Sequence, residues 1–176
     1  MSTDIQTTIV NLFAGPGAGK STTAAGVFHL LKKAGIECEY IPEFAKDLTW
    51  EGRHYALGVQ PYIFGKQMKN LVKVIGKVKY AITDSPILLS YIYAGEEYPQ
   101  SFKDSVVDIF KTMNNRNFFI RRGETYSELG RNQTREESEK IDEEVLDLLV
   151  RNEITVTMVD KLDGAQKIVD YLTTGV

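Results

Sequence analysis

The sequence predicts an α/β protein in which a parallel sheet carries helices on both faces. Short apolar runs that read as strands alternate with amphipathic helical stretches along the whole chain. The first such run, Ile9-Val10-Asn11-Leu12-Phe13, passes through a glycine-rich turn directly into a helix. A third run, Tyr80-Ala81-Ile82-Thr83, ends in a carboxylate, Asp84, as strands that lead to a site do. The chain has 176 residues, 43% of them apolar, which suits one domain over 1–176 with one core.

Taken in order, Val27, Leu30, Leu31 and Ala34 recur at i, i+3, i+4 and i+7 after the glycine turn, and Gly35 follows as a C-terminal cap. Glu37 to Ile41 reads as a second strand closed by Pro42, and Pro42 to Leu48 opens a short helix. A longer helix is expected from Pro61 to about Lys79, with Met68, Leu71, Val72, Ile75 and Val78 facing inward. Ser85-Pro86 starts a helix toward Tyr93, and Phe102, Val106, Ile109, Phe110 and Met113 form one helical face. Asn117 to Arg121 and Ile154 to Val159 are the remaining strands. Ala165, Ile168, Val169 and Leu172 give the closing helix its buried stripe.

The stretch Ala14-Gly15-Pro16-Gly17-Ala18-Gly19-Lys20-Ser21-Thr22 is suited to wrapping a polyphosphate. Gly15, Gly17 and Gly19 allow conformations that turn successive backbone N–H groups inward, and the helix that follows adds its free N–H groups and positive dipole end. Gly15, Gly17, Ala18, Gly19, Lys20, Ser21 and Thr22 are therefore the candidate nucleotide-binding residues, with Lys20 reaching the β/γ-phosphates and the Ser21 hydroxyl holding Mg²⁺. Ala14 stands where the strict pattern has glycine. Lys20 is expected to face solvent and to support little packing.

Two carboxylates follow strands. Asp84 is placed to hold Mg²⁺ or its water shell, or else to cap the helix near Pro86. Glu43 is placed to accept the proton of an attacking hydroxyl, or else is an acid favoured by a helix start. From Arg121 to Arg135 the chain loses apolar periodicity and carries four arginines, ahead of a capping box at Thr134 to Glu137 and a helix with Ile141, Val145, Leu148 and Leu149 inward. A polar lid over about 122–135 is expected, with Arg131 and Arg135 closing on transferring phosphate; the alternative is a solvated surface of Arg–Glu pairs to Glu136 or Glu139.

Together these residues resemble the P-loop kinases of the nucleoside and nucleotide kinase group, and within it the AAA-like domain of the ribosylnicotinamide kinase type found in bacterial and phage proteins. The likeness rests on Gly15 to Thr22, Pro42-Glu43-Phe44-Ala45-Lys46, Gln67, Asp84-Ser85 and Tyr126-x-x-x-Gly130-Arg131-x-Gln133. It implies a three-layer P-loop NTPase fold with a five-stranded parallel sheet in order 2-3-1-4-5, ATP with Mg²⁺, an arginine-bearing lid, and Glu43 or Asp84 as base. Trp50, Arg53, Tyr62 and Gln67 then fall on the acceptor side, where an aromatic plane and an amide suit a base. Ser85 departs from the deoxynucleoside kinases, which usually have Arg after the strand-end acid.

Three functions follow as expectations. The first is an ATP-dependent kinase that phosphorylates a hydroxyl of a nucleoside, nucleotide or related small molecule. A second is a kinase acting on DNA, at a 5′ end or a hydroxymethylated base. The third is a nucleotide-gated ATPase or GTPase switch. The net charge of −3 argues against an extensive nucleic-acid footprint while leaving room for a local basic patch. One cysteine, Cys38, excludes an internal disulfide framework and reads as a small buried hydrophobe. No apolar run approaches membrane-spanning length, and Met1 to Thr8 lacks the pattern of a secretion signal, so a cytoplasmic protein is expected.

Overall fold

The computed structural model describes residues 5–123 and 134–175. Its strands are β1 (Thr8–Phe13), β2 (Cys38–Ile41), β3 (Tyr80–Thr83), β4 (Asn115–Arg121) and β5 (Thr157–Asp160). All pair in parallel, in the order β2-β3-β1-β4-β5. Among the described residues the α-helices are α1 (Lys20–Lys33), α2 (Phe44–Trp50), α3 (Gln60–Val72), α4 (Leu89–Tyr93), α5 (Gln100–Lys111), α6 (Arg135–Arg151) and α7 (Gly164–Thr174). Helices α1 and α7 contact each other, and α2 to α6 form a separate contacting series, the division onto two faces that the right-handed crossover rule gives for this strand order. None of these helices is long and apolar enough to cross a membrane.

The central strand explains the architecture. Ile9, Val10, Leu12 and Phe13 of β1 are all buried, because helices cover both faces of the sheet. Asn11 is the polar exception: its amide donates to Asn115 Oδ1 at 2.9 Å and Asn117 Oδ1 at 3.0 Å on the neighbouring strand, so the buried group is satisfied. Phe13 meets Phe110 of α5 edge-to-face at 6.1 Å. Register then sets the site: Thr83 of β3 lies opposite Ile41 of β2 and Asn11 of β1. The residues following these three strands therefore emerge side by side.

Some boundaries differ from the sequence pattern. The helix expected to reach about Lys79 ends at Val72. Turns follow, with Gly76 at φ 79° donating its N–H to Thr7 Oγ1 at 2.9 Å while the Thr7 hydroxyl donates to the Val78 carbonyl at 2.6 Å. A chain that must reverse into β3 cannot extend the helix, and Val72 and Ile75 are left exposed. At the last strand, Ile154 lies in the turn that closes α6, its N–H bonded back to the Leu149 carbonyl at 2.9 Å, so β5 begins only at Thr157. The capping box is as expected: Thr134 accepts from the Glu137 N–H, and the Glu137 carboxylate accepts from the Thr134 N–H.

Candidate functional site

Three loops meet at the carboxyl ends of β1, β2 and β3 around a cavity of about 410 Å³. Its wall includes Pro16, Gly17, Gly19, Lys20, Ser21 and Thr22 from the glycine loop, Glu43 and Lys46 after β2, and Asp84 and Ser85 after β3. Trp50, Gln60, Gln67 and Tyr93 complete it. A second hollow of about 350 Å³ lies by the opposite end of β4, around Asn115 to Asn117 and Thr155. The amides of Asn115 and Asn117 are engaged there by backbone carbonyls and Asn11, and no carboxylate lines it.

The glycine loop takes the conformations its sequence allows. Gly17 at φ 82° and Gly19 at φ 103° are left-handed, and Gly19 delivers the chain into α1 with no side-chain cap on the helix N-terminus. Gly15 serves a different purpose. A Cβ there would collide with the Ser138 carbonyl of α6, and the Gly15 N–H donates to Asp142 Oδ1. The N–H groups open to a ligand therefore begin beyond Gly15. Lys20 does not point into solvent as expected: its ammonium donates to the Ala14 and Gly15 carbonyls at 2.7 and 3.0 Å. Burial lowers its pKa, opposed by the nearby carboxylates of Glu43, Asp84 and Asp142.

Asp84 is only 3% exposed. Its Oδ2 accepts the Tyr40 hydroxyl at 2.8 Å, whereas Oδ1 has no partner among the described residues. An orphaned, buried carboxylate oxygen in a cavity that Ser21 also lines is chemically fitted to a hard cation or its water shell. The helix-cap alternative is not seen, since α4 starts at Leu89 with no side-chain cap. No group of three or more His, Cys, Asp or Glu side chains suited to a metal occurs among the described residues. A Mg²⁺ here would thus draw on Ser21 and Asp84 and otherwise on phosphate and water oxygens, the usual habit of that ion.

Glu43 stands at the N-cap position of α2, yet its side chain makes no capping bond. Burial raises its pKa, the Lys20 charge opposes that, and the Asp84 charge reinforces it. Gln67, buried at 3%, explains how Glu43 is held: its amide donates to the Pro42 carbonyl and to Thr83 Oγ1, both at 3.3 Å, and accepts from the Phe44 N–H at 3.2 Å. The same amide thereby joins the loops that carry Glu43 and Asp84. Gln67 faces the cavity but its polar atoms are engaged by the fold.

Trp50 reaches the cavity mouth. Arg53 and Tyr62, expected on the acceptor side, do not line it. Arg53 pairs with Glu51 at 3.1 Å in solvent, and Tyr62 packs edge-to-face on Phe44 at 5.5 Å. Arg135 is also exposed and pairs with Glu139 at 2.8 Å, the arrangement held open as the alternative to a phosphate contact. Arg131, Tyr126, Gly130 and Gln133, with the greater part of the expected lid, lie outside the described residues.

Two functional side chains escaped the sequence reading. Tyr40 of β2 orients Asp84; burial above all, then the Asp84 charge and hydrogen bond, raises its pKa and keeps the phenol a donor. Asp142 of α6 binds Arg122 at 2.8 Å, and Arg122 in turn donates to the Pro16 carbonyl at 2.7 Å. Arg122, the first residue of the expected polar lid, is docked against the glycine loop. The helical stripe of α6 carried a hint only in retrospect, because Asp142 directly follows the inward-facing Ile141. Searches against protein-family models and curated proteins find no match to this chain.

Proposed function

We propose that this chain is an ATP-dependent phosphotransferase that moves the γ-phosphate to a hydroxyl of a nucleoside, nucleotide or related small molecule. The observation that carries the reading is the shared cavity: a glycine loop and helix N-terminus suited to a triphosphate open onto the same space as a buried carboxylate, Asp84, and a half-buried one, Glu43. The resemblance of Gly15 to Thr22 and Asp84-Ser85 to the P-loop kinases points the same way.

In this reading the Gly17 to Thr22 backbone cradles the phosphates. Lys20 leaves the Ala14 and Gly15 carbonyls to meet the β/γ oxygens, exchanging neutral acceptors for charged ones. Ser21 and Asp84 would hold Mg²⁺, which when bound supplies charge neutralisation to the phosphates. The acceptor oxygen forms a bond to the γ-phosphorus as the bond to the β-bridging oxygen breaks. Its proton passes to Glu43, which burial makes a stronger base than an ordinary carboxylate, and ADP leaves with the electron pair. Asp84, one oxygen of which is held by Tyr40, is the alternative base.

The test is Lys20→Met, assayed by ADP release with and without candidate nucleosides. Turnover should disappear while the melting transition persists; a folded variant that retains transfer overturns the reading. An ATPase rate indifferent to every acceptor would favour the switch alternative.

A further inference from the structure

Charge is segregated along this chain. From residue 52 to residue 83 there are six Lys or Arg residues, Arg53, Lys66, Lys69, Lys73, Lys77 and Lys79, and no Asp or Glu. Of the 21 cations and 24 carboxylates in all, the remainder therefore carries 15 against 24. The fold displays this bias on one side. Lys66, Lys69 and Lys73 recur at i, i+3 and i+7 along α3 and its C-terminal end, and Lys77 continues into the turn that follows. Lys69, Lys73 and Lys77 are exposed, while Lys66 lies over the Tyr62 ring at 5.3 Å.

Among the described residues, no carboxylate lies within ion-pair distance of Lys66, Lys69, Lys73 or Lys77, as is also true of Lys33, Lys103 and Lys111 elsewhere; what sets the α3 row apart is its continuity along a stretch with no acid. The row begins beside the cavity, since Gln60 and Gln67 of the same helix line its wall. Trp50, which lines the cavity, is 73% exposed, and Tyr55, in the short turn between α2 and α3, is 77% exposed. Unpaired cations leading to exposed aromatic planes are the two elements by which proteins hold single-stranded nucleic acid: charge follows the backbone, and flat rings take the bases.

We propose that a single-stranded nucleic acid docks on this side, its backbone along the α3 lysines and its bases against Trp50 and Tyr55, so that one nucleotide of the strand enters the cavity. The assignment of that nucleotide as phosphate acceptor rests on the phosphotransferase reading above; the docking face does not. The acidic remainder of the surface confines the strand to this side by repulsion.

Trp50 is the chain's one tryptophan, so its emission reports directly on the mouth of the cavity. The experiment titrates an unmodified single-stranded oligodeoxynucleotide into the full chain, reading Trp50 quenching and the anisotropy of an end label. Four phosphate contacts on a single strand predict a log–log salt slope near ~−2.8, hence about a 50-fold loss of affinity between about 50 and about 200 mM salt. The triple variant Lys69→Gln, Lys73→Gln, Lys77→Gln should lose at least about tenfold at low salt and flatten the slope, with ATP binding and melting unchanged. Absence of quenching, salt-insensitive binding, or equal binding by the triple variant overturns the proposal. So does binding to phosphatidylserine vesicles in place of the oligonucleotide. Oligonucleotide binding without transfer to any acceptor would refute the phosphotransferase reading alone; transfer to free nucleosides without oligonucleotide binding would refute the docking face alone.

Discussion

The glycine-loop wall of the cavity is held by buried ionic contacts: Arg122 and Asp142, with side chains 8% and 15% exposed, grip the Gly15 N–H and the Pro16 carbonyl. The opposite side, from α2 into α3, presents Trp50, Tyr55 and a row of lysines to water, and among the described residues its ion pair, Arg53 with Glu51, lies in solvent. The difference suits what each side would meet in the proposed reading. Phosphates have one shape, and a cradle for them gains from being rigid before binding. A larger partner that approaches from solution is met by side chains that keep their freedom until contact, and by charges not already neutralised.

The largest expected effect breaks the rigid wall. Asp142→Ala leaves the Arg122 guanidinium buried without its carboxylate, and should cost about 3 kcal/mol in denaturant unfolding, as removal of one partner of a buried pair does. It should also weaken nucleotide binding, because the loop loses its tether at Gly15. Glu51→Ala, removing the solvent-exposed partner of Arg53, is the control on the other wall and should leave the unfolding midpoint unchanged.

Next comes the chemistry between the walls. Glu43→Gln should retain ATP affinity and lower kcat by about a hundredfold or more. Because burial raises the Glu43 pKa, the acid limb of the kcat/KM profile should lie above the ordinary carboxylate range, with the rate rising as the carboxylate deprotonates; the Gln variant should lose that limb. If Glu43→Gln is fully active and Asp84→Asn is dead at every Mg²⁺ level, the base is Asp84.

A smaller effect is expected at Tyr40. Tyr40→Phe frees the second oxygen of Asp84, so that the carboxylate is no longer oriented. The Mg²⁺ concentration for half-maximal activity should rise about tenfold with kcat restored at saturation. A variant that loses kcat without a change in Mg²⁺ dependence would assign Tyr40 to substrate rather than to Asp84. The smallest effect is expected of Arg135→Ala, since that guanidinium is in solvent and paired with Glu139. A fall in kcat larger than any fall in ATP affinity would instead put Arg135 on the transferring phosphate.

Much of the molecule is legible along the chain because it depends on near neighbours. The apolar run into Gly17 and Gly19 specifies a strand and a turn that opens a helix, since only those local conformations satisfy the backbone there. Thr134 and Glu137 specify a helix start by reciprocal bonds three residues apart. Alternation of strands and helices, with the handedness of crossovers, makes a parallel sheet the economical solution and brings Glu43 and Asp84 to one edge. What stands 127 residues away in sequence obeys no such rule: nothing near Gly15 announces that Asp142 accepts its N–H, or that its missing Cβ makes room for α6. The same holds for Gln67, whose amide was read as a substrate contact and is engaged by Pro42 and Thr83, and for Arg53, which local spacing could not keep out of solvent. Periodicity says which face of a segment turns inward, but only the packed chain decides which polar atom meets which, because each such bond depends on where two distant segments come to rest.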